Sequence, residues 1–302
     1  MDNKKNNSDQ AKRKKSRKDR KDGYFVKDLD PLHIVMPYMF PNRCDNEAFI
    51  RETIDLTAVD KYVKLKNDSK PEFRYKIFQV LIAAIIKTII LRPQMNRFIQ
   101  GNKMYLRKEL SVSFVIKKQF SDDGQEALAY IRFDENDTLA SVRDKVFNEI
   151  SCGRSEVMDG ATKSLDFISK IPRFVTRTFV KFLNWLDFHG KFPQSMAATD
   201  PNYATAFLTN LGSIGLKAGY HHLTNRGTNS LFIVVGKAHK APEFHDDGTF
   251  EMKKVLDVGL TLDERIADGY YYSKTVKLLK YLMSHPELLE TPFKDDIPTN
   301  LR

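Results

Sequence analysis

Leu260-Thr-Leu-Asp-Glu-Arg-Ile-Ala-Asp-Gly269 is the stretch on which the reading of this chain turns. It leaves an apolar run, Lys254 to Leu262, and delivers charged side chains just before a segment of helical character. That segment, about Tyr271 to Ser284, stops ahead of Pro286, because the residue before a proline is driven out of the helical region.

Working outward, Ala204 to Leu211 and Ser230 to Gly236 are also short, apolar and bounded by turn residues, which predicts strands. Leu110 to Phe120 and Ala127 to Phe133 alternate apolar and polar residues around Ser121-Asp-Asp-Gly124, the pattern of a hairpin. Phe73 to Leu91 has helical length and is apolar almost all round, so it belongs inside the core. Asp137-Thr138 can cap a helix running to about Ile150, and Lys163 to Phe188 reads as two helices parted near Pro172. Helices alternating with mostly non-adjacent strands predict an α/β fold, a mixed β-sheet layered with helices.

From Tyr24 onward no linker-like stretch and no repeat divides the chain, so one domain is expected over residues 25–302. Residues 1–24 are expected to be a disordered basic tail. Over residues 1–22, ten Lys/Arg stand against four Asp, with too little apolar surface to offset the entropy of ordering. The tail can be a solubilising arm, or an anchor to RNA or anionic lipid.

The whole chain of 302 residues carries a formal charge of +10. With the tail supplying +6, the body holds only +4, so nucleic acid binding is not expected except through the tail. Cys44 and Cys152 lie far apart, which fits a reducing compartment and no zinc motif of the usual spacing. The apolar run Val80 to Leu91 is interrupted by Lys87 and Thr88 and is shorter than the roughly 20 residues a membrane span needs. A cytoplasmic protein without a transmembrane segment is expected.

Four segments in order resemble two acyltransferases, chloramphenicol acetyltransferase and the catalytic domain of the 2-oxo acid dehydrogenase dihydrolipoyl acyltransferases. Asp55-Leu-Thr57 resembles their entry from strand to helix. Arg92-Pro-Gln-Met-Asn96-Arg97-Phe98 is similar to the Pro-x-x-Asn segment that ends the buried helix. Ala206-Phe-Leu-Thr-Asn-Leu-Gly212 resembles the strand ending in Ser/Thr-Asn-x-Gly, and Asp263 to Gly269 resembles the site segment. There the family carries His, three residues, then Asp-Gly; here the His position is Glu264. No lipoyl domain is read ahead of the core, so the expected architecture is that of a free-standing catalytic domain.

The resemblance implies a chloramphenicol acetyltransferase-like fold and transfer of an acyl group between coenzyme A, as substrate, and a small acceptor. It also implies a homotrimer with its pocket between subunits. In the family the His is a general base, and a hydroxyl at the position of Thr209, next to Asn210, donates to the oxyanion. Asp268 is implied to pair with Arg43 and hold the site loop, and Gly269 to permit the turn into the last helix. A carboxylate at position 264 is a weaker base than imidazole by about two pKa units, or roughly 2.7 kcal/mol of driving force.

His221-His222 are therefore candidate substitutes for the base. They can equally be a hydrogen-bonded loop element, and no Cys, Asp or Glu accompanies them at metal-ligand spacing, so no metal is expected. Gly212-Ser-Ile-Gly215 and Gly227-Thr-Asn-Ser230 lack the lysine of a phosphate loop and read as turns. Two functions stay open: a coenzyme A-dependent acyltransferase, and a catalytically impaired relative that binds acyl-coenzyme A or acts as a scaffold.

Overall fold

A computed structural model of the chain describes residues 16–119, 126–154, 171–298 and 300–301. Ten strands are described: β1 (Gly23–Phe25), β2 (Glu47–Asp55), β3 (Arg97–Gln100), β4 (Lys103–Arg107), β5 (Leu110–Lys117), β6 (Glu126–Phe133), β7 (Ala206–Asn210), β8 (Leu231–Val235), β9 (His239–Phe244) and β10 (Phe250–Asp263). The longer helices are α1 (Pro31–Met39), α2 (Thr57–Asp68), α3 (Ile77–Leu91), α4 (Leu139–Arg154), α5 (Arg173–Phe188) and α6 (Gly269–Ser284).

Seven strands form one mixed sheet in the order β2-β10-β8-β7-β5-β6, with β9 added to the far end of β10. The pairs β8–β7 and β7–β5 are parallel, and the others antiparallel. Period-two alternation decides which way each side chain faces. Leu256, Val258, Leu260 and Leu262 of β10 face the helices and join Leu208, Ile233 and Phe114 in the main core. Asp257, Gly259, Thr261 and Asp263 face the other side, where the segment 216–229 lies over the sheet.

Helix α3 is buried nearly all round, as its sequence predicts, and this includes Lys87 at 1% exposure. The Lys87 Nζ reaches the carbonyl of Leu288 at 2.7 Å, so the cation is hydrogen-bonded rather than stranded. Each fully buried Leu or Ile here contributes about 1.5–3 kcal/mol, and α3 supplies Val80, Leu81, Ile82, Ile85, Ile86 and Ile89. Among the described residues no helix is long and apolar enough to cross a membrane.

The hairpin β5–β6 and the helices α4 and α6 lie where the sequence predicts them. The expected turn at 121–124, and the first of the two helices expected before Pro172, fall outside the described residues. One boundary is corrected. Gly23–Phe25 pairs with Tyr105–Arg107 of β4, completing a three-stranded sheet β1-β4-β3. Arg20 is buried, bound to Asp22 at 2.8 Å and to Asp187 at 3.0 Å. The folded body thus starts before residue 25, because this one arginine finds two carboxylates. Burial opposes its charge, but the two acids outweigh burial and raise Arg20 above the usual guanidinium range.

Candidate functional site

Strand β10 ends with Leu262 opposite Leu231 and Asp263 opposite Glu47. The amide of Asp263 donates to the carbonyl of Ser230 at 3.0 Å, and that of Glu264 to Asn46 at 2.8 Å, tying the turn to both neighbouring chain segments. Beneath it lies a buried charge cluster. Arg265, 1% exposed, grips Asp263 with two parallel bonds, Nε to Oδ1 at 2.8 Å and Nη2 to Oδ2 at 2.7 Å. Its Nη1 donates to the carbonyls of Phe40 and Pro41.

Arg43 approaches Asp263 from the other side, Nε to Oδ2 at 3.5 Å. Its remaining nitrogens donate to the carbonyls of Thr224 at 2.6 Å, Gly227 at 3.0 Å and Ile99 at 3.1 Å. One carboxylate thus serves two guanidiniums in a buried setting. Burial pulls Arg43 below the usual guanidinium range, Asp263 opposes this, and Arg265 adds to it.

The expected pairing of Arg43 with Asp268 is corrected by this arrangement. Asp268 is exposed and accepts the amide of Tyr271 at 2.7 Å, so it caps α6 and satisfies one of that helix's unpaired N–H groups. The partner of Arg43 is Asp263, five residues earlier, because the register of β10 turns that side chain toward the arginine. Gly269 is corrected as well. It is the first residue of α6, a side chain there would meet nothing within 4 Å, and its φ is not positive, so the turn does not depend on glycine.

Glu264 itself is exposed, and among the described residues its carboxylate has no hydrogen-bond or ion-pair partner. Thr209 sits near the C-terminal end of β7, half-buried, on the same face as Phe207 and opposite Val234, which in turn pairs with Gly259. Its hydroxyl makes no hydrogen bond among the described residues. Asn210, the last residue of β7, receives the Ser213 hydroxyl on its carbonyl at 2.7 Å. Gly215 then closes the following turn at φ +83°, a left-handed conformation suited to glycine.

Glu264 and Thr209 do not share a pocket within one chain. Glu264 lies just past the end of β10, five residues beyond Gly259, so the two are separated by on the order of 15 Å along the strand direction and by two strand spacings across it. Nor does any hydrogen bond or ion pair join Glu264 to His221 or His222 among the described residues. Both histidines are exposed. The His221 ring stacks on Phe232 with centroids 4.2 Å apart and on His222 at 4.8 Å, while its Nδ1 meets the carbonyl of His222 at 2.9 Å. The pair is thus a stacked loop element over β8. Tyr220 packs edge-on against Phe49, and Leu223 donates its amide to the Glu47 carboxylate, which pins this loop along the edge leading to Glu264.

Three residues that sequence reading passed over, Asp263, Arg265 and Glu47, prove to build the turn. The legible signal was the acid at position 263. On a strand whose even positions face the core, an acid at the last odd position lies on the opposite face, and if buried there it requires a base.

Seven strands in one mixed sheet with four helices on its core face, plus a charged turn between the long strand β10 and the last helix, define the architecture. Residues 193–291 match the family model of the 2-oxoacid dehydrogenases acyltransferase (catalytic domain), a span that takes in Thr209, His221, His222, Glu264 and Asp268. A probable dihydrolipoamide acetyltransferase from Listeria monocytogenes 4b F2365 matches the structure with a TM-score of 0.57 at 14% identity, over 93% of this chain and 99% of that one. The chain has the chloramphenicol acetyltransferase-like fold. A chloramphenicol acetyltransferase gives 0.56 at 11% identity, over 86% and 99% of the two chains. The dihydrolipoamide acetyltransferase of Azotobacter vinelandii gives 0.57 at 16%, over 88% and 95%. No curated protein sequence matches the chain. In this acetyltransferase-like fold, a groove of about 610 Å³ lined by Asn96, Lys108, Arg132 and Lys145 lies at the β4–β6 side and contains neither Glu264 nor Thr209.

Proposed function

We propose that the chain is a coenzyme A-dependent acyltransferase acting on a small acceptor, with its site completed between copies of the chain in a homotrimer. One copy contributes Glu264 and a neighbouring copy contributes Thr209. The observation that carries this reading is the contrast at the turn: Glu264 is solvent-facing and without a partner among the described residues, yet the backbone beneath it is clamped by the buried Arg43–Asp263–Arg265 cluster. An ion cluster with a surplus cation is a poor way to gain stability. Its use here supports a requirement for one fixed presentation of position 264.

Two further observations support a second copy. Helix α1, whose following residue Phe40 holds Arg265, exposes Leu32, Tyr38 and Met39 at 60% or more, an apolar surface directly beside the turn. Thr209, on the opposite end of the sheet, keeps a hydroxyl unpaired among the described residues, as a donor awaiting an oxyanion would. In the Azotobacter vinelandii enzyme a serine, and a histidine and an asparagine four residues apart, have a role in the catalytic mechanism; Thr209, Glu264 and Asp268 supply a hydroxyl and a pair of the same spacing.

In the reaction, Glu264 would take the proton of the acceptor as it attacks the thioester carbonyl, and Thr209 would donate to the oxyanion of the tetrahedral intermediate. Collapse of that intermediate breaks the carbon–sulfur bond, and the departing sulfur of coenzyme A takes back the proton held by Glu264, leaving as the thiol. Thiol release from acetyl-coenzyme A with a panel of hydroxyl, amine and thiol acceptors tests this. Turnover that disappears in Glu264→Gln while coenzyme A still raises the melting temperature is the expected result. Unchanged turnover in that variant would remove Glu264 from the chemistry.

A second reading rests on the exposure of Glu264 to solvent. The chain would then bind acyl-coenzyme A without turning it over. In that case coenzyme A stabilises the protein, no thiol appears, and Glu264→His raises turnover from background. A cytoplasmic setting suits either reading.

A further inference from the structure

Arg107 ends β4 as a buried cation, 6% exposed, and among the described residues it forms no ion pair. Its Nη1 donates to the carbonyl of Tyr203 at 2.9 Å and to the hydroxyl of Thr228 at 2.7 Å, and its Nη2 donates to the carbonyl of Thr228 at 2.7 Å. One residue, Thr228, thus accepts from both terminal nitrogens and lies between them. The Nε has no partner among the described residues. A guanidinium carries five N–H donors, so Nε–H and the outer N–H of Nη2 are left over. Those two lie side by side, as the fork that grips two oxygens of one anion.

Burial pulls Arg107 down to about 10; Tyr130 and Asp22 oppose this, while Arg43 and Arg20 add to it. The group stays charged at neutral pH, and a buried cation without a counterion is costly. Arg107 lines a cavity of about 100 Å³ between β4, β6 and the segment 194–203. A single water requires roughly 10–15 Å³, so a ligand of several atoms fits. Three further cations line the cavity, Lys21, Lys108 and Arg132, all exposed. Two acids stand there as well, but each is already taken, Asp22 by Arg20 and Glu109 by Arg132, both at 2.8 Å. Tyr130 accepts the Ser111 hydroxyl at 3.0 Å, which leaves its own O–H to donate. Neither Glu264 nor Thr209 borders this cavity.

We propose that the cavity binds a phosphate group, free or at the end of a small ester, with the Arg107 fork at its base and Lys21, Lys108 and Arg132 around its mouth. The fork alone would satisfy a flat carboxylate, whereas donors converging from several sides suit a tetrahedral oxyanion. Binding supplies the negative charge that the buried guanidinium lacks.

The full-length protein is titrated by calorimetry with inorganic phosphate and, separately, with glycerol 3-phosphate, against chloride at matched ionic strength. Expected are saturable binding and a rise in melting temperature that chloride does not give. Tighter binding of inorganic phosphate makes the free ion the occupant, and tighter binding of glycerol 3-phosphate makes it an ester; either supports the site. Arg107→Lys keeps the charge but loses the fork, and should weaken binding at least about tenfold. Because Arg107 also holds two backbone carbonyls, a second variant leaves the core alone. Lys21→Gln with Arg132→Gln should weaken binding comparably, with little change in melting temperature in the absence of phosphate, and it decides the matter if Arg107→Lys fails to fold. Preference for acetate or malonate over phosphate would overturn the assignment to a phosphate group. Heat that follows ionic strength without saturating, or saturable binding that the Lys21–Arg132 double variant leaves unchanged, would overturn the site.

Discussion

The two ends of the large sheet are finished in opposite ways. At the Glu264 end, two arginines and an aspartate are buried under the turn, and backbone bonds to Asn46 and Ser230 hold it from both sides. At the Thr209 end, β7 runs into an exposed turn, Ser213 to Lys217, held by backbone bonds from Gly215 to Gly212, Leu216 to Leu211 and Lys237 to Leu216 and by the Ser213 hydroxyl on the Asn210 carbonyl. The first end is clamped and presents a carboxylate that has no partner among the described residues. The second offers the Thr209 hydroxyl, without a hydrogen bond among the described residues, beside a turn at the surface. A carboxylate at one end and a hydroxyl at the other are two half-sites on one chain, as the proposed site between copies requires.

This comparison breaks most readily at Asp263. Replacing it by Asn leaves two buried guanidiniums without a carboxylate, and a loss of about 3–5 kcal/mol is expected, measured by denaturant unfolding. A loss under about 1 kcal/mol would mean that water reaches the cluster and the turn is not clamped. Arg43→Met should cost less, about 1–3 kcal/mol, because Arg265 keeps its bidentate grip on Asp263 and only three carbonyls lose their donor. If it costs more than Asp263→Asn, the ordering of the cluster is wrong.

His221→Ala removes a ring stacked on Phe232, worth about 0.5–1.5 kcal/mol, and should leave turnover intact. Lost turnover with retained stability would return His221 to the role of base. The smallest effects belong to Glu264→Gln and Thr209→Ala. Each should change stability by no more than about 0.5 kcal/mol, since one side chain is exposed and the other makes no hydrogen bond among the described residues.

Much of this fold is legible in the sequence, because α3, β5, β6 and β10 advertise their burial through hydrophobic period alone. The short strands β1, β3 and β4 are not, since three to five residues carry too little pattern and their pairing rests on Arg20 and Arg107 reaching distant partners. Helix α1 is also hard to read, with Pro37 inside it and apolar residues facing outward. At the site, the turn and its position are legible, whereas the partner of Arg43 is not. Asp263 and Asp268 are equivalent acids by composition, and only the pairing of β10 with β2 decides which faces the arginine. The separation of Glu264 from Thr209 is hidden for a related reason: it follows from sheet order and register, which no local pattern records.

The account stands on the claim that Glu264 and Thr209 act together across a boundary between copies. Glu264→Gln and Thr209→Ala chains, each prepared alone, are expected to show no thiol release from acetyl-coenzyme A. When the two are unfolded together, refolded as mixed trimers and assayed, turnover should return to about a quarter of the wild-type rate, because in a ring with head-to-tail contacts one interface in four joins an intact Glu264 to an intact Thr209. Mixed oligomers that stay inactive beside an active wild-type control would contradict the claim.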